Sequence, residues 1–249
     1  MPWDYRLRHF LIRRYSLMKI EEYEKLIRSE IDKVVVSIIE NNRVLNISAR
    51  ARAGAEISDW LEEKFVEKTK NHPYLKNTES APKGKTKNPW DARTYFKLND
   101  HLEEIWIDFK ALKVSSADSN PDIGTPNKII KLISSGKFYL LYIYVYYQEH
   151  KNGLKFVTHN NKLTKAYFLK DISSTFRRNP KNQLQVNMSE EPEYRTRAEF
   201  IKLLIEKIKE SHVRQIEISQ KELTKLDNIL SKLLEINSES EKAILEKFG

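Results

Sequence analysis

The chain has no cysteine among its 249 residues. Disulfides and thiolate zinc sites are therefore excluded, and the composition suits an intracellular protein. Its six histidines show no compact metal-ligand spacing. The longest apolar run, Phe138 to Tyr147, is too short to cross a bilayer as a helix, so no membrane partner is expected. Near the N-terminus, Arg6, Arg8, Arg13 and Arg14 alternate with aromatic and aliphatic residues. They do so without an apolar stretch followed by a small-residue cleavage site, and no export signal is read. Cytoplasmic localisation in a prokaryote is the expectation. Met18 opens a cleaner helical pattern than the residues before it, and the chain contains no internal repeat.

What is abundant is positive charge. Lysine and arginine total 44 against 35 acids, a formal charge of +9, which favours a polyanionic partner. The length admits one large domain or a core with an appended subdomain. The pattern divides into an N-terminal helical region (1–49), a core (50–150) and a C-terminal region (151–249), together one compact domain of mixed α/β class.

The most informative stretch is the apolar run Ile105 to Leu112, interrupted by Asp108 and Lys110. In a strand, Ile105, Ile107, Phe109 and Ala111 face one side while Trp106, Asp108 and Lys110 share the other. An ion pair in such a strand costs desolvation energy that polar partners or a metal must offset. It is thus a site candidate, although a partly exposed structural cross-strand pair has the same appearance. Upstream, Asn88 to Leu98 is β-prone and Asn99-Asp100-His101 is a polar turn, which predicts an antiparallel hairpin. With a loop of Asn99 and Asp100 alone, Leu98 pairs with His101 and Asp91 falls opposite Asp108. Directly opposed side chains have Cβ atoms roughly 5 Å apart, close enough for two carboxylates to hold one cation.

Pro89-Trp90-Asp91, a strand, a turn, and a second strand bearing Asp108-Phe109-Lys110 resemble the PD-(D/E)xK nucleases, above all the type II restriction endonucleases. The helix, three strands, helix, strand order of that family's core can be read between Ala51 and Gln148. Gly54 to Phe65 is the first helix, with Ile57, Trp60, Leu61 and Phe65 at helical spacing. Asn127 to Ser135 is the second, and Phe138 to Tyr147 is a strand buried on both faces. The charged segment Lys76 to Lys87 reads as a mobile basic loop beside the site. A more literal match, Pro121-Asp122 with Glu149-His150-Lys151, is set aside: Asp122 precedes a helix, and Glu149 lies past the apolar strand.

The resemblance implies a nuclease-like core, with a central mixed sheet flanked by helices and further helices at both ends. It implies Asp91 and Asp108 as ligands of Mg2+, with Mn2+ able to substitute, and Lys110 as the residue orienting the attacking water. Glu56 is the expected helix glutamate near the metal. The products would be 5′-phosphate and 3′-hydroxyl ends of double-stranded DNA cut at a specific, palindromic site. A structure-specific repair or recombination nuclease of the same superfamily is the alternative, and a non-catalytic nucleic-acid-binding module is a third reading.

DNA contacts are expected from Arg50, Arg52, Lys85, Lys87 and Arg93, and from the segment Ser173 to Asn187. That segment carries Arg177, Arg178, Asn179, Lys181, Asn182, Gln183 and Gln185. Arginine suits guanine edges and phosphates, and asparagine and glutamine make paired contacts to adenine. The abundance of amides is similar to what an A·T-rich-site enzyme of the SwaI type would need. A palindromic target also implies a homodimer. Two apolar stripes compete for its interface: Ile20, Tyr23, Leu26, Ile27, Ile31 and Val34, or the C-terminal series through Leu223, Leu226, Leu230 and Leu233.

Overall fold

The computed structural model describes residues 18–47, 53–82, 89–116, 120–151 and 153–248. Four helices are described: α1 (Ile20–Asn41), α2 (Ala53–Thr69), α3 (Pro126–Ser134) and α4 (Arg197–Phe248). The main sheet runs β1 (Val44–Leu45), β7 (Gly153–Phe156), β6 (Leu140–His150), β4 (His101–Lys113), β3 (Ala92–Leu98) and β2 (Leu75–Ser80), with β8 (Thr164–Phe168) also paired to β6. All of its pairings are antiparallel except β4 with β6. This is the mixed α/β core that the sequence predicts, helix, three strands, helix and strand in order. Strands before residue 50 and after residue 150 join the same sheet, so all three sequence regions contribute to it.

Alternation along β4 decides how the layers stack. Ile105, Ile107 and Phe109 are buried in one cluster with Ile27, Ile31 and Val35 of α1 and Ile57, Leu61 and Phe65 of α2. The opposite sheet face meets a second cluster, built from Ile123, Ile129 of α3, Phe176, Leu184, and Phe200 and Leu204 of α4. Strand β6 serves both, with Leu141, Ile143 and Val145 on one side and Leu140, Tyr142 and Tyr144 on the other. It is a strand buried on both faces, as its unbroken apolar run requires.

One expectation is corrected here. Lys76 to Lys87 is not loop throughout, because residues through Ser80 belong to β2. That strand lies at the sheet edge, where only Leu75 is fully buried, so its sequence Leu-Lys-Asn-Thr-Glu-Ser lacks the apolar alternation that announces a strand. Polar edge strands of this kind also resist pairing with other chains. At the other edge, β1 approaches β7 so closely that a Cβ on Gly153 would lie 2.2 Å from the Leu45 carbonyl oxygen. Only glycine fits that crossing.

Candidate active site

The hairpin turn is two residues long and Leu98 pairs with His101. Asn99 takes φ +53°, a left-handed conformation that asparagine tolerates better than most residues. The register runs back to Ala92 opposite Ile107 and continues one step further, with the Asp91 amide donating to the Ile107 carbonyl at 2.8 Å. Asp91 thus stands beside Asp108, and its Oδ2 accepts the Phe109 amide at 2.7 Å. On the next same-face position of β4, Lys110 Nζ lies 2.5 Å from Asp108 Oδ1. The two carboxylates and the ammonium share one small volume.

Their surroundings set their charges. Beside Asp108 and Lys110 in the parallel register stand Tyr142 and Tyr144 of β6, both fully buried. The Tyr142 hydroxyl is turned away to donate to the Ile123 carbonyl at 2.9 Å. Burial, reinforced by the like charge of Asp108, pushes the Asp91 carboxyl up to about 7. Burial works against the Lys110 ammonium as well, but Asp108 and Asp91 outweigh it and hold its pKa above the ordinary value. Lys110 is therefore a fixed cation at neutral pH. For Asp91 the folded pKa lies above the unfolded one, so its contribution to stability is complete below about pH 4 and vanishes as pH rises through about 7. At neutral pH and above, an unmet charge pair opposes folding.

Helix α2 presents two glutamates differently. Glu56, the glutamate expected near the site, is exposed on α2, whereas Glu62 is half-buried near Ser80 and Ala81 and adds its field to that at Asp91. Burial raises the Glu62 pKa, and the Ser80 bond opposes the rise. Ser58 and Glu62, four residues apart, occupy one flank of α2. Ser58 Oγ donates to the Phe109 carbonyl at 3.0 Å, which turns that flank towards the hairpin.

The literal motif is not assembled. Glu149 pairs with Lys113 at 2.7 Å on the surface, and Asp122 accepts a bond from the Asn179 side chain at 3.2 Å.

The remaining predicted contacts fall into three groups. Arg50, Arg52, Lys85 and Lys87 lie outside the described residues. Arg93 is held by Glu79 and by Glu104 (3.0 Å), beneath the rings of Trp90 and Tyr95. The segment after Ser173 forms a small ribbon, β9 (Arg177–Arg178) and β10 (Leu184–Gln185), which pairs with β5 (Asp122–Gly124). Much of its polarity shapes the ribbon itself. Arg178 donates to Asn182 (2.6 Å) and to Ser211 and Gln215 of α4, Asn179 accepts the Gln183 amide (2.9 Å), and Gln185 donates to the Asn120 carbonyl. Arg177 and Lys181 are exposed. The ribbon and α4 enclose a groove lined by Arg177, Arg178, Gln185, Arg214 and Gln215. The α4 side of this groove was not anticipated; its signal was Arg214-Gln215, hidden within a long charged helix.

Among the described residues no three or more histidine, cysteine, aspartate or glutamate side chains form a ready-made metal cage. Two carboxylates suffice for a particular class of ion. Magnesium keeps most of its waters and is commonly held by one or two carboxylates together with substrate phosphate oxygens. Burial, together with the like charge of Asp108, favours a proton on Asp91, and such a cation offsets both. The donor set fits the ion.

The family model described as SwaI-like, SwaI restriction endonuclease, matches residues 19–226. That span includes α1, α2, the hairpin, the ribbon and the first part of α4. No curated protein matches the chain.

Proposed function

This chain belongs to the SwaI-like restriction endonuclease family, and from that premise we propose that it is a magnesium-dependent type II enzyme. It hydrolyses phosphodiester bonds of duplex DNA at one specific, palindromic sequence and leaves 5′-phosphate and 3′-hydroxyl ends. The observation that supports this reading is the convergence of Asp91, Asp108 and Lys110 on one hairpin face.

Asp91 and Asp108 would hold the divalent ion through their carboxylate oxygens, leaving positions for a scissile phosphate oxygen and water. The bound ion supplies a water of lowered pKa and neutralises charge on the phosphate. Lys110, held protonated, orients the attacking water and favours its deprotonation. Glu62 takes the place expected of Glu56, steadying water at the edge of the site. The buried tyrosines beside Asp108 and Lys110 exclude solvent from that flank, and charges act more strongly there than in water. Mn2+, with similar oxygen preference, substitutes for Mg2+.

Recognition is assigned to the groove between the β9–β10 ribbon and α4. Arg177 and Lys181 are exposed for phosphate or base contact, and Arg214 and Gln215 present a second row from the helix. Asn179, Asn182 and Gln185 hold the ribbon's shape. A homodimer would place two such grooves on the two halves of a palindrome.

Digestion of a genome of known sequence with Mg2+, followed by sequencing of the fragment ends, tests the proposal. Discrete fragments whose ends share one motif are the expected result. A smear, or cleavage confined to junctions, would instead mark a structure-specific nuclease.

A further inference from the structure

The second half of α4 has no partner among the described residues. The helix covers 52 residues, about 78 Å at 1.5 Å per residue. Its buried side chains are Phe200, Leu204 and Ser211, and every residue from His212 to Phe248 is exposed. Exposure falls on a patterned sequence. Leu223, Leu226, Leu230 and Leu233 recur at alternating three- and four-residue steps, and Ile229 and Ile236 widen the stripe on one side. The opposite face, through Lys221, Thr224, Asn228 and Glu235, is polar.

We infer that this face is the contact surface for the same segment of a second copy of the chain, packed helix against helix. Area is the first argument. Of the ten large apolar side chains exposed between Leu223 and Phe248, all but Leu245 lie on the seam or its flanks; at roughly 60–120 Å² each these nine present about 540–1,080 Å² per chain. Soluble monomers rarely expose an apolar patch above roughly 300–600 Å². Doubled across a symmetric pair, the area reaches about 1,100–2,200 Å², the range of stable protein interfaces.

Charge is the second argument. Between Lys221 and Phe248 there are five basic and six acidic residues, a near balance that suits neither an anionic lipid surface nor DNA, which call for a lysine- and arginine-rich face. Residue choice within the seam is the third. Counting sevens from Leu223 through Leu230 brings Asn237 and then Ile244 onto the same line. The alternate line through Leu226 and Leu233 likewise reaches Ser240 and Lys247 beyond the apolar stretch; an asparagine at a seam position lowers stability but defines the register of paired helices, a device without purpose against lipid.

The competing stripe on α1 is occupied: Ile27, Ile31, Val34 and Val35 are buried in the chain's own core. Most of the α4 seam also lies past the residues matched by the family model. The inference deepens the dimeric reading above, yet it is read out by mass and not by cleavage.

Sedimentation equilibrium of the full chain tests it. The native protein should sediment at micromolar concentration with twice the 29.5 kDa of one chain. The double variant Leu226→Glu, Leu233→Glu should dissociate at least 100-fold more readily with an unchanged melting temperature of the α/β body. A control on the polar face, Thr224→Glu with Ser231→Glu, should remain dimeric. A monomeric native protein, dissociation of the control as readily as the seam variant, or a seam variant as dimeric as the native chain would each overturn the assignment. A chain that dimerises through the seam but cuts no DNA would leave this inference standing and remove the nuclease proposal.

Discussion

Lys110→Ala should slow cleavage of duplex DNA by roughly 10²–10³-fold, the usual effect of deleting one preorganised charge at a reacting centre, while duplex binding stays within a few-fold of the native value. Position dictates the separation of the two effects. The Lys110 ammonium sits 2.5 Å from Asp108 at the carboxylate pair, and the groove assigned to recognition is built from other elements. Binding comes mainly from phosphate and base contacts. Asp108→Ala should lose more, because it removes a proposed ion ligand and also releases Lys110 from its partner. Single-turnover cleavage, with filter binding in Ca2+, reads both quantities. Native-level cleavage by either variant would exclude the hairpin as the active site.

The second large effect is on stability. Lys170 is 1% exposed and its Nζ is within 2.8 Å of Glu24, 2.6 Å of Asp171 and 2.7 Å of the Arg195 carbonyl oxygen. The three partners come from α1, the short 3-10 turn Leu169–Asp171 and the segment leading into α4. Lys170 thus pins the start of the long helix to the body. Lys170→Met fills a similar volume but leaves two buried carboxylates without a counter-charge, a loss of about 3–5 kcal/mol. At about 2–4 °C per kcal/mol for a chain of this size, the melting temperature should fall by about 6–20 °C. Scanning calorimetry measures it. The exposed pair Lys113 and Glu149 is the contrast, since solvent screens it and its removal should leave the transition in place.

Much of the arrangement around the hairpin was legible in the sequence because local chemistry determines it. A two-residue Asn-Asp turn sets register, and register places Asp91 beside Asp108. The buried strand β6 was equally plain from its unbroken apolar run. What escaped depends on packing between distant elements. Glu56 and Glu62 lie on opposite flanks of the stripe Ile57, Leu61 and Phe65, and periodicity cannot say which flank meets β2 and β4. Ser58 bonding across to Phe109 makes the choice. Strand β2 escaped because an edge strand needs no apolar alternation. The amides of the ribbon were all equivalent in one dimension; in three, Asn179, Asn182 and Gln185 have internal partners while Arg177 and Lys181 face solvent. The buried Lys170 had only the adjacent Asp171 as a local signature, because its other partners are supplied by Glu24 and Arg195, far away in sequence.

Divalent-ion binding tests the centre of the account most directly. Mn2+ should be titrated calorimetrically into the native protein and into Asp91→Asn, each bound to a duplex with an uncleavable phosphorothioate at the cut position. Asp91→Asn keeps an oxygen for the Phe109 amide and removes the charge that opposes Asp108. It should therefore melt no lower than the native chain at pH 8 without metal. The native complex should bind the ion saturably and Asp91→Asn should lose that binding at least tenfold. Equal affinity in the two proteins would contradict the claim that this carboxylate pair holds the catalytic ion.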